Sequence, residues 1–306
     1  MCSKKSDASR FLNNFHFITP PRLTCFYSGC SRNPINSHTL SKKSIRNYGE
    51  IIKLQVIEHD IFSRLKPKEE KKYFKPCNLA KVSTFPGFCS FHDHSIFNEL
   101  DNFNGIVTPQ IALLSHYRMI CYGLYIIEKQ QIQEQFLRES QFIGHASKRA
   151  KEIHRRIING FYQRRLMMAK QEYLYRKTVC ENLIDSGNFN EIQFICLQGS
   201  NKDPLFNGRA GIFFHGLKRR LPLRFLPQMP YITYSSLHNG DFCTLIFHYL
   251  SIDMEYKTDL NAFLNDDNFK GKLELLISAH SDFCIWKTPI STEGEQNIRE
   301  IIDFYH

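Results

Sequence analysis

Two short stretches decide how this chain folds: Cys-Phe-Tyr-Ser-Gly-Cys at residues 25–30 and Gly-Phe-Cys-Ser-Phe-His-Asp-His at residues 87–94. A structural zinc ion takes four nitrogen or sulfur ligands in a tetrahedron, and these usually arrive as two close pairs. Gly29 and Gly87 supply the tight backbone turns that such pairs need. The spacing therefore predicts one zinc site that draws the two stretches together. The predicted ligands are Cys25, Cys30, Cys89 and His92.

Neighbouring residues leave the membership of this site open. Cys77, His38 and His94 are competing ligands, and a site in which Cys77 replaces His92 would still bind zinc. The other interpretation is that these side chains are unrelated to one another, in a chain with 10 cysteines and 13 histidines.

The composition is that of a globular protein with a core. Hydrophobic residues make up 42% of the 306 positions and charged residues 23%, and the 26 Phe and 14 Tyr argue against wholesale disorder. The net charge of +10 favours anionic partners such as nucleic acid.

The remaining cysteines and the N-terminus predict a cytoplasmic protein. Four cysteines stand singly within apolar stretches, as buried reduced thiols do: Cys121, Cys180, Cys196 and Cys243. The first residues, MCSKKSDASRFLNNF, lack the apolar run of a secretory leader. The most apolar stretch, residues 111–127, contains His116 and Arg118, so it is predicted to be a buried helix and not a membrane span.

The pattern along the chain predicts an α+β protein in four parts. They are a flexible arm at 1–21, a zinc-binding module at 22–105, a basic helical arm at 106–187 and a C-terminal α+β domain at 188–306. Thr108 and Pro109 are typical of a helix start, and apolar residues then recur at three- and four-residue steps, as in a helical hairpin or coiled coil.

Short apolar runs predict most of the C-terminal elements. Residues 192–197, 221–226, 231–237 and 242–250 are predicted strands, and residues 258–266 and 292–304 are predicted helices. The glycine-containing residues 207–211 are predicted to form a turn. Further toward the N-terminus, residues 51–62 fit either a strand or a short helix.

Basic residues are concentrated in the predicted helical arm. Between residues 131 and 180, eleven Lys and Arg face four Glu, an excess of +7. Such a helix can follow a phosphate backbone, although a solvated helix face and a site for an acidic protein partner remain open as interpretations. The predicted nucleic-acid-binding residues are Lys148, Arg149, Arg155, Arg156, Arg164 and Arg165.

The motif CxxxxC…SH…FCxxHD, over residues 25 to about 97, resembles treble-clef zinc proteins and, more narrowly, the HNH (ββα-metal) nucleases of bacteria. The resemblance implies that His38 on a first strand is the general base that activates water. It implies that Asp93 or His94 holds a catalytic Mg²⁺ or Mn²⁺ beside the scissile phosphate of DNA or RNA. Proteins of this type often serve in anti-phage defence or in mobile elements.

A non-catalytic function is the competing hypothesis. In it, zinc only stabilises the N-terminal module, and the helical arm contacts a protein partner. The two hypotheses differ in one geometric expectation. Catalysis requires His38 and Asp93 or His94 to meet at an open, basic cavity away from the zinc ligands.

Overall fold

The structure is a computed structural model, and it describes residues 24–47, 51–55, 74–75, 82–139, 160–200, 203–210, 229–277, 281–287 and 296. These residues form a mixture of helices and sheet, which confirms the predicted α+β class. Several predicted features lie outside the described residues: the arm at 1–21, Cys77, Lys148, Arg149, Arg155, Arg156, the strand at 221–226 and, apart from residue 296, the helix at 292–304.

The described helices and strands follow one another in groups along the chain. The strands are β1 (Asn36–His38), β2 (Ile51–Gln55), β3 (Phe74–Lys75), β4 (Thr84–Pro86), β5 (Ile192–Ser200), β6 (Leu205–Ala210), β7 (Ile232–His238), β8 (Phe242–Leu250) and β9 (Ser281–Lys287). The helices are α1 (Lys42–Asn47), α2 (Ser90–Asp101), α3 (Pro109–Glu139), α4 (Phe161–Ser186), a 3-10 helix (Ser251–Tyr256), α5 (Lys257–Leu264) and α6 (Phe269–Leu275).

Seven of the described strands form one sheet in the order β3-β2-β9-β6-β7-β8-β5, with antiparallel pairs throughout. Of the residues that fitted either a strand or a short helix, 51–55 form the strand β2. This strand joins the sheet through β9, where Leu54 pairs with Ile285. The chain between the two ligand pairs therefore contributes strands to the same sheet as the C-terminal third. β1 and β4 form a separate two-stranded ladder beside the predicted zinc ligands.

Strand β6 overturns the turn predicted at residues 207–211. Asn207 pairs with Ser235 of β7 on one side and with Phe283 of β9 on the other, so this segment is an interior strand up to residue 210. Gly208 suggested a turn, but the sheet needs a glycine here because a side chain would collide with its neighbour. A Cβ at this position would lie 2.2 Å from the Tyr234 hydroxyl.

β7 and β8 are buried on both faces because helices cover each side of them. The buried side chains of Leu237 and Ile246 belong to the core formed with α3 and α4. Those of Tyr234 and Phe247 belong to a second core that includes Phe263 of α5. This explains the near-continuous apolar run at residues 242–250, which a half-exposed strand would not need.

Helices α3 and α4 pack against each other in antiparallel directions. Lys170 donates to Gln131 near one end of the contact, and Tyr117 donates to Glu181 near the other. Thr108 caps α3 by accepting a hydrogen bond from the backbone of Ile111 at 3.2 Å, as its sequence position predicts. The predicted buried helix at 111–127 is confirmed, with most of its residues inside the core.

Three arginine–aspartate pairs with buried guanidinium groups join different elements of the fold. Each places two guanidinium nitrogens against one carboxylate, the geometry that stabilises such pairs most. The pairs are Arg118–Asp101 between α3 and α2, Arg176–Asp253 between α4 and the 3-10 helix, and Arg209–Asp282 between β6 and β9.

Candidate metal centre and adjoining cleft

The first ligand pair lies on a tight loop between residues 24 and 32. The amide of Cys25 donates to the carbonyl of Arg32 at 2.9 Å, and the amide of Cys30 donates to the carbonyl of Tyr27 at 3.2 Å. Gly29 has a φ of 74°, a left-handed conformation that non-glycine residues adopt at a cost. The loop therefore turns both thiols toward the same side.

The second ligand pair lies at the start of α2. Cys89 is the residue before the helix, and its sulfur accepts from the amide of His92 in the first turn. The loop and this helix start are also joined by backbone hydrogen bonds, from Phe26 to Gly87 at 2.9 Å and from Ile35 to Phe88 at 2.7 Å. The prediction that the two stretches meet is confirmed.

The four predicted ligands form one cluster. Their ligand atoms all lie within 4.8 Å of one another, and no other such group of three or more residues occurs in the described part of the chain. The Cys30 and Cys89 sulfurs are 3.9 Å apart, and His92 Nδ1 lies 3.4 Å from the Cys25 sulfur and 3.5 Å from that of Cys89. A tetrahedron with Zn–S of about 2.3 Å and Zn–N of about 2.0 Å has edges of about 3.8 Å and 3.5 Å.

The sulfur separations also exclude a disulfide within this cluster. A disulfide needs its sulfurs about 2.05 Å apart, and the Cys30–Cys89 distance is 3.9 Å. All three cysteines are free thiols. The arrangement can therefore hold a metal ion, with three thiolates and one imidazole as ligands.

The pKa values of the cluster residues shift in different directions. Burial raises the pKa of Cys25 to about 11, although hydrogen bonds from the backbone act to lower it. Burial also acts to raise the pKa of Cys89, but hydrogen bonds from His92 and from the other two thiols outweigh it, and the net pKa is lowered. Burial and the charge of Arg32 lower the pKa of His92, so its ring is neutral and able to coordinate near pH 7.

The cysteine loop is anchored on α4. Ser28 donates from both its amide and its hydroxyl to Glu181, and Lys177 donates to the Ser28 hydroxyl at 2.8 Å. Tyr27 hydrogen-bonds Asp185, and its ring lies 4.3 Å from the imidazole of His92. The metal cluster and the helical pair are thus one packed unit in the described residues.

A cleft of about 470 Å³ lies between α1 and α2, next to the cluster. Its α1 wall is cationic, and carries Lys42, Lys43 and Arg46. Its α2 wall carries Ser90, Asp93, His94 and Asn98. Two of the three residues predicted to act in catalysis, Asp93 and His94, are therefore brought together at an open surface with basic residues opposite them.

Asp93 is held at the base of this cleft. Its Oδ2 accepts a hydrogen bond from Lys42 Nζ at 3.0 Å, and the residue is almost fully buried. Its Oδ1 is buried without a hydrogen-bond partner among the described residues. Buried carboxylate oxygens are normally satisfied, so this atom is a candidate for contact with a bound group.

His38 lies on β1, near the cleft but not among its lining residues. Burial lowers its pKa first, followed by the charges of Lys42 and Arg118, while Asp101 and Asp93 act in the opposite direction. Of these charged residues, Lys42, Asp93 and Asp101 line the cleft. Its Nδ1 is buried without a partner in the described chain, and the ring is neutral near pH 7.

The cationic wall of the cleft was not predicted from the sequence. Lys42, Lys43 and Arg46 stand outside the predicted basic arm, and no element was predicted for their stretch of the chain. On the six-residue helix α1 they line the same cleft. Of the predicted nucleic-acid-binding residues that the structure describes, Arg164 and Arg165 are exposed near the start of α4.

Three of the four single cysteines are buried as predicted, and Cys196 is not. Cys121, Cys180 and Cys243 lie in the core, whereas Cys196 is exposed on β5. β5 pairs with β8 and is the last strand in the described sheet, so its side chains are less covered.

Among the described residues, no helix has the length and apolar character needed to cross a membrane. The chain matches no protein-family model, no curated protein and no solved structure.

Proposed function

We propose that Cys25, Cys30, Cys89 and His92 bind a structural zinc ion. The donor set supports zinc because three thiolates and an imidazole suit a tetrahedral, borderline-soft cation. Four protein ligands close the coordination sphere, so this ion stabilises the fold and leaves no position for a substrate.

We further propose that the protein acts on nucleic acid, with the cleft between α1 and α2 as the place where a phosphate binds. One observation carries this proposal. Three cationic side chains face Asp93 and His94 across an open cleft, at the helix that the metal cluster anchors. A phosphate is recognised by Lys and Arg contacts, and a hard divalent cation by the oxygens of a carboxylate.

We propose phosphodiester hydrolysis as the reaction, as the resemblance to HNH nucleases implies. Asp93 and His94 line the cleft, whereas His38 lies near it without lining it, so this reaction requires water to reach His38 from the cleft. His38 accepts a proton from water, and the resulting hydroxide attacks phosphorus. The bond from phosphorus to the leaving sugar oxygen breaks, and that oxygen takes a proton from solvent. A Mg²⁺ or Mn²⁺ ion held by Asp93 or His94 would supply charge stabilisation at the phosphate. Lys42 and Lys43 hold the phosphate from the opposite wall.

A cleavage assay tests this function. Purified protein is incubated with plasmid, single-stranded DNA and RNA in Mg²⁺ or Mn²⁺, and products are resolved on gels. We expect His38→Ala to lose on the order of 100-fold or more in rate, the usual contribution of a general base. Zinc content and thermal unfolding of the variant serve as folding controls. Equal cleavage by His38→Ala and wild type would remove His38 from the mechanism, and cleavage that survives EDTA would remove the divalent ion.

A protein-binding function is the second candidate, and a specific observation favours it. α4 exposes apolar side chains in two pairs that lie about two helical turns apart: Met167, Met168, Leu174 and Tyr175. Contiguous exposed apolar residues mark contact sites in many proteins. If no substrate is cleaved and no nucleic acid is bound at low salt, this function is the better explanation of the fold.

A further inference from the structure

One exposed aromatic side chain stands beside the proposed phosphate-binding cleft. Phe91 is 57% exposed, although it lies in the first turn of α2 between Ser90, which lines the cleft, and the metal ligand His92. The core-facing aromatic residues of the same module, Phe88 and Phe97, are fully buried. The ring of Phe91 therefore contributes little to the core and presents a face to solvent.

Two neighbouring residues make the Phe91 ring suitable for stacking against another planar group. The Arg32 guanidinium lies 5.2 Å from the ring centre of Phe91, within the range of a cation–π contact. Ile35, which lines the cleft itself, is 41% exposed. An exposed aromatic ring, a guanidinium and a cationic groove are the three components with which proteins bind single-stranded nucleic acid.

We infer that the substrate class is single-stranded nucleic acid, with one base stacked on Phe91 and the adjacent phosphate between Lys42, Lys43 and Arg46. This inference rests on the proposed nucleic-acid function of the cleft and names its substrate. In a duplex the bases are stacked on each other inside the helix, and their faces are not accessible to Phe91. In an unpaired strand, each phosphate has a base beside it whose face is free. Such a strand can place a base on Phe91 while the cleft binds the adjacent phosphate.

Fluorescence anisotropy with three labelled probes of equal length tests the inference: single-stranded oligo-dT, the same phosphodiester chain with abasic sites, and a duplex. An oligo-U probe adds the RNA arm. We expect wild type to bind oligo-dT more tightly than the abasic chain, on the order of 5- to 100-fold, the usual contribution of one stacked base. Phe91→Ala should abolish this difference and leave binding of the abasic chain unchanged.

Three further variants make the outcomes distinguishable. Phe91→Trp should keep the preference for oligo-dT, whereas Phe91→Leu, which retains apolar bulk without a ring, should lose it. Tyr175→Ala is the matched control, because Tyr175 is 55% exposed on α4 and is not part of the cleft. Zinc content and thermal unfolding establish that each variant is folded.

The results separate failure of this inference from failure of the function on which it rests. Equal affinity of wild type for oligo-dT and the abasic chain, or a preference for duplex, overturns the stacking inference and leaves phosphate binding intact. Unchanged binding in a Lys42→Ala, Lys43→Ala, Arg46→Ala triple variant overturns the cleft as the binding site. If neither DNA nor RNA binds at low salt, both proposals fall.

Discussion

Substitution of Cys30 tests whether the metal cluster stabilises the fold. Cys30 is one of two part-exposed ligands, and its sulfur lies against that of the buried Cys89. We expect Cys30→Ser to lose stoichiometric zinc, as measured by mass spectrometry of the purified protein, and to lower the melting temperature. The effect should be large because the free energy of binding a structural zinc ion is also folding free energy.

Cys196→Ser is the matched control for this prediction. Cys196 is an exposed free thiol on β5, and it is not a member of the cluster. Its substitution should leave both the zinc content and the melting temperature unchanged. A Cys30→Ser protein that retains one zinc per chain would show that the cluster is not the zinc site.

Gly123 of α3 lies against the side chain of Tyr173 on α4. A Cβ at this position would lie 2.2 Å from a ring carbon of Tyr173 on α4. The Tyr173 ring has little room to move, because its hydroxyl accepts a hydrogen bond from Arg209, which is paired with Asp282. We expect Gly123→Ala to lower the free energy of unfolding by about 1–3 kcal/mol, the usual cost of overpacking. Urea denaturation measures this change, and an unchanged midpoint would contradict the packing described.

The ligand cluster was predictable from sequence because its members are local. Each pair spans only a few residues, and the turn-forming glycines stand next to them. The cleft was not predictable, because its basic wall belongs to a six-residue helix whose pairing with α2 arises only in the fold. His38 was selected through its likeness to a motif, and the structure places it close to the cleft without making it a lining residue.

Among the elements, those with a strong periodic pattern were predicted and those defined by distant pairing were not. α3, β7 and β8 have apolar runs long enough to identify them. β2 joins β9 across more than 200 residues of sequence, and nothing in either segment specifies the other. β6 contains Asn and Gly, which favour turns locally, but pairing on both sides outweighs that preference.

The contact between α2 and α3 depends on the ion pair of Asp101 with Arg118. The Arg118 side chain is fully buried and donates to the carboxylate at 2.9 Å and 3.2 Å. Burial acts to raise the pKa of Asp101, but the charge of Arg118 outweighs it and the pKa is lowered. Because the folded pKa lies below the unfolded value, the pair stabilises the protein above about pH 4 and this contribution is lost as the pH falls further.

We therefore expect Arg118→Met to lower the free energy of unfolding at pH 7 by about 3 kcal/mol, since it leaves a largely buried carboxylate without its partner. Lys272→Met is the control. Lys272 of α6 pairs with Asp266, and the two side chains are 22% and 28% exposed, so its loss should cost less than about 1 kcal/mol. Equal effects of the two substitutions in urea denaturation would contradict a special role for Asp101 and Arg118.

For the molecule as a whole, the layer of α3 against the sheet contains a buried polar network. His116 of α3 hydrogen-bonds Thr233 of β7 at 2.8 Å, and Thr233 in turn contacts His248 of β8. His248 also hydrogen-bonds Ser115 of α3 at 3.0 Å. His248 is fully buried in the core. Protonation of either imidazole would put a charge between the two layers.

This network predicts a pH dependence of global stability. Burial lowers the pKa of His248 from 6.5 to about 3, and burial together with His248 lowers that of His116. Below about pH 6.5 the unfolded chain takes up protons at both histidines while the folded protein does not. The free energy of unfolding should therefore decrease as the pH falls from 6.5 toward 3, by up to about 1.4 kcal/mol per pH unit for each histidine.

His248→Asn isolates this contribution from loss of zinc, which acidification also causes in both proteins. The variant keeps a polar group that can hydrogen-bond Thr233 but removes one titrating site. It should be less stable than wild type at pH 7.5, and its free energy of unfolding in urea should decline less steeply between pH 6.5 and 5. The difference in slope should approach 1 kcal/mol per pH unit. Parallel slopes would mean that His248 is not held neutral in the fold, and that the layer between α3 and the sheet accommodates its charge.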